Sequence, residues 1–251
     1  MKRWLRRTMR RFGLDVPFTP VVCPEEIKTI AIDLQWRATV TVRRQMVFLE
    51  RPGEGDLRDI VPLDADAHVS DLPESPDAID IGRRPLGAST CIYWMPREPV
   101  VEYALYTHER SWMTDAHDIK DVLCTELVCR GRTGSMTIEI IAPVAYTSAV
   151  AFKLPAWHRL ASERRLMRHA LHQMDVARSR PIISGAGTRV TWRVTGPRVG
   201  DRFVCIALTP SGLAAWQQEL EEGSLASRLR RFLRLDPAQA AGAGRVLLPG
   251  K

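Results

Sequence analysis

The apolar positions of this chain change period several times, and the changes divide it into segments. Within Met1 to Phe12, Trp4, Leu5, Met9 and Phe12 fall at i, i+1, i+5 and i+8, one face of a helix. Arg3, Arg6, Arg7, Arg10 and Arg11 cover the rest of its surface, and Gly13 supplies a stop. Leu14 to Pro24 carries Pro17, Pro20 and Pro24 and reads as an extended linker. From Ile27 the pattern becomes strand-like, with Ile27, Ile30 and Ile32. Arg37 to Glu50 then alternates, with Val40, Val42, Met46 and Phe48 on one face and Arg44 as the single exception. Pro52-Gly53 breaks the run. Residues 51–87 are rich in proline, glycine and aspartate and read as irregular, with short strands at most. Further β runs follow at Ser89–Met95, Val100–His108, Asp121–Cys129 and Met136–Ile141, the last two separated by a turn at Gly131–Gly134, and Ala145–Leu154 adds another.

Short strands at roughly ten-residue spacing predict a mainly β fold, α+β overall, with an antiparallel β-sandwich-like body. A parallel arrangement calls for crossover helices, for which this spacing leaves no room. Beyond Pro155 a helix is expected over Ala156–Arg178, on the stripe Leu160, Met167, Leu171 and Met174. Arg189–Thr195 and Phe203–Leu208 read as a hairpin turning at Gly196–Gly200. A helix capped by Thr209 or Ser211 runs to about Glu222, and a short one from Ser224 to Leu235 follows. The expected organisation is a basic amphipathic helix and proline-rich linker at 1–24, a sandwich-like domain at 25–155, an α+β portion at 156–236 and a disordered tail at 237–251.

Charge sharpens the picture of the termini. Of 36 basic residues five are lysines, leaving 31 arginines, a skew that points to a GC-rich, bacterial genome. The net charge of +7 is unevenly laid out. Residues 1–13 hold six cations and no acid, whereas residues 54–80 hold nine acids against Arg58 alone. The five cysteines are odd in number and loosely spaced, and no apolar run follows the basic start, so the thiols are expected to be reduced and the protein cytoplasmic, with peripheral association with the inner membrane as an option.

No Gly-x-Ser-x-Gly, His-Glu-x-x-His or Walker lysine occurs, and no cofactor is expected. His108, His117, Cys124 and Cys129 are the best zinc-ligand set by type, but their spacing lacks a Cys-x2-Cys pair. His169 and His172 share a helical face, flanked by arginines that disfavour a cation. Asp64, Asp66 and His68 lack the glycine and distal glutamate of a calcium loop. Tyr93, Trp94, Arg97, Tyr103, Tyr106, Arg110 and Trp112 crowd one stretch and form the candidate ligand site.

The expected function is therefore a non-enzymatic interaction or scaffold component of a bacterial assembly. Its docking element is Trp4, Leu5, Met9 and Phe12 with Arg3, Arg6, Arg7, Arg10 and Arg11, meeting a protein partner or an anionic membrane surface. Alternatives are an enzyme or ligand binder built on residues 93–112, and a nucleic-acid-binding protein drawing on the arginine content. Oligomeric state leaves no mark on the sequence.

Overall fold

The computed structural model describes residues 21–53, 55–62, 75–86, 89–115, 121–154 and 181–221. In chain order the strands are β1 (Val21–Ile32), β2 (Arg37–Phe48), β3 (Arg58–Pro62), β4 (Ala78–Leu86), β5 (Ser89–Pro96), β6 (Leu105–Asp115), β7 (Val122–Val128), β8 (Arg132–Ile141), β9 (Ser148–Leu154), β10 (Ile182–Ser184), β11 (Arg189–Thr195) and β12 (Arg202–Leu208). Helix α1 spans Pro210–Glu221. The strands build a six-stranded sheet in the order β10-β11-β8-β1-β2-β6 and two three-stranded sheets, β7-β12-β9 and β3-β5-β4.

The mainly β reading stands, and several finer expectations are corrected. The large sheet is mixed: β1 runs antiparallel to β2 but parallel to β8. A crossover helix is unnecessary because the chain between β1 and β8 passes through other sheets on its way back. Arg189–Thr195 and Phe203–Leu208 do not form a hairpin. β11 pairs with β8 and β10, while β12 lies between β7 and β9. The burial patterns explain the split. β12 is buried at every position and suits a central strand covered on both faces, whereas β11 has exposed residues among buried ones. Strands from both sides of residue 155 thus share two sheets.

Strand limits move too. β1 begins at Val21, inside the stretch read as linker. Arg132 to Gly134, read as a turn, opens β8, and Val100 to Ala104 precedes β6 instead of belonging to it. The acidic stretch yields β3 and the nine-residue β4. The helix expected after Thr209 is present as α1. Thr209 donates its hydroxyl to the Asp121 carboxylate and accepts the Gly212 amide, so it caps the helix as its type predicts. The N-terminal helix, the helix over Ala156–Arg178, the helix from Ser224 and the tail lie outside the described residues.

The core follows from the register. On the inner face of the large sheet, Val190, Ile140, Ile30, Val40 and Trp112 form one row across β11, β8, β1, β2 and β6. They join Leu123, Leu127, Phe203, Cys205 and Ala207 of the β7-β12-β9 sheet in the main apolar cluster. A smaller cluster of Met46, Phe48, Leu57, Ala78 and Trp94 sits at the other end of β2. Between the two clusters the inner face turns polar. Among the described residues no helix is long and apolar enough to cross a membrane.

Candidate functional site

Two adjacent rows of the large sheet carry the polar band. One row reads Met136, Glu26, Arg44, His108 across β8, β1, β2 and β6; the next reads Ile138, Lys28, Val42, Arg110. Period-two alternation puts all of these on the face that carries the apolar core. Arg44, the one break in the apolar face of β2, is therefore the residue whose place in the sequence announced this band.

The β3-β5-β4 sheet supplies the acids. Asp59 of β3 meets three cations: His108 Nε2 at 2.8 Å, Arg110 Nε at 2.7 Å, and the Arg44 guanidinium. Arg44 also reaches Glu26 at 3.3 Å. Asp77, just before β4, takes His108 Nδ1 at 2.9 Å. Asp80 accepts Arg110 at 2.6 Å and Arg83 at 3.0 Å. Ser75 donates to the Asp77 carboxylate at 2.6 Å, and the Tyr106 hydroxyl donates to the Asp77 backbone carbonyl. The indole of Trp94 stacks on the His108 ring, with ring centroids 3.8 Å apart and planes 15° from parallel.

The geometry sets the protonation state. Each nitrogen of His108 faces a carboxylate, so both must carry a proton, which only the imidazolium does. Glu26, Asp59, Asp77 and Asp80 meet Arg44, Arg83, Arg110 and His108, with Arg130 near enough to feel Glu26 and Asp59. Burial would depress the His108 pKa, but Asp59 and Asp77 raise it above the ordinary value. Burial would likewise raise Asp59, yet His108, Arg44 and Arg110 hold its carboxyl well below the usual range. Against its own desolvation, Asp77 is drawn down to about 2 by the hydrogen bonds from His108 and Ser75. The arrangement resembles a bolt between two sheets. With His108 fully buried and Arg110 2% exposed, the charged atoms are spent on one another.

A second polar contact ties the large sheet to β7. Lys28, fully buried, donates to Thr125 Oγ1 at 2.8 Å and to the Glu126 carbonyl at 3.1 Å. Burial lowers its pKa to about 8, with Glu126 opposing that shift. Arg202 of β12 pairs with the Glu126 carboxylate.

The candidate ligand residues are only partly brought together. Trp94, Tyr106 and Arg110 converge on His108, but inside the bolt, where Trp94 is 1% exposed. Trp112 belongs to the main apolar cluster. Tyr93 stacks under Arg84 at 5.6 Å, Arg97 donates to the Ala78 carbonyl, and Tyr103 stands 71% exposed on the loop before β6. Two members of the candidate zinc set have other partners. His108 spends both nitrogens on aspartates, and the Cys129 thiol donates to the Gly131 carbonyl at 3.3 Å. Burial raises the Cys129 pKa to about 11 and raises that of Cys124 as well. His117 lies outside the described residues, among which no His, Cys, Asp and Glu group fit for a metal occurs. The carboxylates Asp59, Asp77 and Asp80 were missed because they sit in a stretch that reads as irregular. Their signal was the alternation Tyr106, His108, Arg110, Trp112, which puts two cations on a buried face in need of acids.

One surface stands apart from this network. In the loop before β6 and at the first residue of that strand, Val101, Tyr103 and Leu105 are 68%, 71% and 60% exposed. Tyr103 adopts a left-handed backbone, φ 64°, and donates its amide to the Phe48 carbonyl at 2.8 Å. Phe48 is in turn the register partner of Val21, the first described residue. Val21 therefore lies at the end of the large sheet where this loop protrudes. The docking residues Trp4, Leu5, Met9 and Phe12 and their arginines lie outside the described part.

Comparison with known proteins leaves the chain unassigned. No family model matches it, and no curated protein does. Among solved structures it is similar to one provisionally described as a protease from Parabacteroides distasonis, at 10% identity and a TM-score of 0.42, over 81% of this chain and 44% of that one. It is also similar to leukotriene A4 hydrolase from Saccharomyces cerevisiae, at 8% identity and a TM-score of 0.35, over 74% of this chain and 29% of that one. The chain thus spans less than half the length of either structure.

Proposed function

We propose that the protein is a non-enzymatic interaction component of a bacterial assembly, and that its docking element is the basic amphipathic segment Met1–Phe12. The observation that carries this reading is the position of Val21. Its pairing with Phe48 puts Val21, the residue to which that segment leads, near Tyr103 and its exposed neighbours Val101 and Leu105, which supports the reading. Apolar side chains on both sides of the root favour an occupant at this end of the sheet. The interior charges, by contrast, are spent in ion pairs between sheets, with His108 and Arg110 buried among them.

The segment's side chains favour an anionic membrane surface as that occupant. Six cations bring about 1 kcal/mol each near acidic headgroups, and Trp4 and Phe12 suit the interfacial layer. Flotation with vesicles of phosphatidylglycerol and phosphatidylcholine tests it, with neutral vesicles and heparin as parallel arms. Binding to the acidic vesicles that disappears in an Arg6→Glu/Arg7→Glu/Arg10→Glu variant is the expected result. Equal flotation of the two proteins contradicts the membrane reading. Loss of a co-purifying protein in the same variant, without vesicle binding, assigns the segment to a protein partner, and retention on heparin alone assigns it to nucleic acid.

A further inference from the structure

The exposed loop before β6 raises a separate question, because a left-handed tyrosine is an unusual way to turn a chain. A bulky residue at φ 64° is strained by about 1 kcal/mol or more, and glycine or asparagine makes the same turn without that cost. Here the strain sets a large aromatic ring outward, between Val101 and Leu105. The root of the loop is fixed. Val100 packs on the cluster of Met46, Phe48, Leu57, Ala78 and Trp94, and Val21 packs on the same cluster. Val21, Phe48 and Tyr103 lie side by side, so the loop and the first described residue are separated by about two strand spacings, roughly 10 Å.

We infer that this loop is the seat of the chain's own N-terminal segment in the free protein, with Trp4, Leu5, Met9 and Phe12 covering Val101, Tyr103 and Leu105. The reach suffices. Leu14 to Pro20 at about 3.4 Å per residue spans up to roughly 24 Å, more than the separation at the root. Apolar character matches on both sides. Charge leans the same way: the exposed charged residues next in sequence to Phe48 and to the loop are Glu50, Glu98 and Glu102 against Arg51 and Arg97, an excess of one acid, for a segment that carries six cations and no acid. A short helix is marginal alone in water, so a surface that accepts its apolar face is also what orders it. The seat deepens the docking reading and rests on it, because the same four apolar side chains cannot cover the loop and enter a membrane together. Occupation of the seat masks the docking face until an acidic surface competes for it.

Hydrogen exchange on the full-length protein tests the seat. Backbone amides of residues 100–105 are expected to exchange about tenfold faster in a Trp4→Asp/Phe12→Asp variant than in the native chain. Equal exchange overturns the inference. The reciprocal change, Val101→Asp/Leu105→Asp, is read by trypsin and by flotation. Cleavage after Arg6, Arg7, Arg10 and Arg11 should quicken, and binding to acidic vesicles should rise severalfold, because the segment is released but intact. Unchanged cleavage in that variant also contradicts the seat. Vesicle binding separates the two claims: binding that depends on the arginines, together with equal exchange, keeps the docking function and removes the seat.

Discussion

At the scale of single residues, the molecule depends on how a few charges are spent inside it. Asp59 touches His108, Arg44 and Arg110, so removing its carboxylate strands three cations in a buried seam. Asp59→Ala is expected to cost about 3–5 kcal/mol in urea denaturation, the size seen when one partner of a buried ion pair is removed. The pH dependence follows from the same contacts. Asp59 and Asp77 are depressed on folding, Asp77 to about 2, so their contribution is present above the ordinary carboxylate value of 3.8 and is lost as pH falls from there. His108 is raised on folding, so its contribution is complete below 6.5 and is lost as pH rises through its folded value. Lys28 opposes it. Folding lowers its pKa from 10.5 to about 8, so the folded state holds fewer protons in that window and stability from this group rises with pH across it. Urea midpoints measured from pH 2 to 10 should show the acid loss in the native protein. A Lys28→Met variant should lack the alkaline gain, and a gain of native size in that variant would refute the assignment.

At the scale of elements, close backbone approaches decide which strands and turns can form. A Cβ on Gly134 would lie 2.6 Å from the Pro24 carbonyl oxygen, where β8 runs beside β1. A Cβ on Gly212 would lie 2.0 Å from the Asp121 carbonyl oxygen, where the first turn of α1 meets the start of β7. Gly212→Ala is therefore expected to cost about 1–3 kcal/mol through overpacking, read as a lowered midpoint in thermal melts, whereas alanine at the open Gly131 should leave the midpoint within about a degree. These approaches also explain what the sequence conceals. Gly131-Arg-Thr-Gly134 has the composition of a turn, but Gly134 is needed for contact with β1, so the strand runs through it. Alternation revealed β2, β5 and β7 because each carries apolar residues in strand period. β3 and β4 were hidden because their inward residues include Asp59 and Asp80, whose partners are on other strands. Pattern reading gives the period of a strand and not its neighbour. That is why Arg189–Thr195 and Phe203–Leu208 were each recognised and yet wrongly paired.

At the scale of the whole molecule, three sheets meet through buried polar contacts as well as an apolar core. The candidate site was legible in halves. Trp94, Tyr106 and Arg110 were picked out by type and proximity in sequence, and they do converge, but on His108, which was singled out only as a zinc candidate, and the acids that close the seam come from a segment without periodic signal. The basic segment reads as a docking element from its helical stripe, and the seat proposed for it beside Val101, Tyr103 and Leu105 rests on the pairing of Val21 with Phe48, which no local pattern encodes. The central claim concerns that segment. Its most direct measurement is the partition coefficient of the full-length protein on acidic vesicles over a series of salt concentrations, compared with the Arg6→Glu/Arg7→Glu/Arg10→Glu variant. With about 1 kcal/mol for each cation lost and more for each acid gained, the account predicts binding that weakens steeply with salt and falls at least about a hundredfold in the variant. Equal partitioning of the two proteins, or binding indifferent to salt, would contradict it.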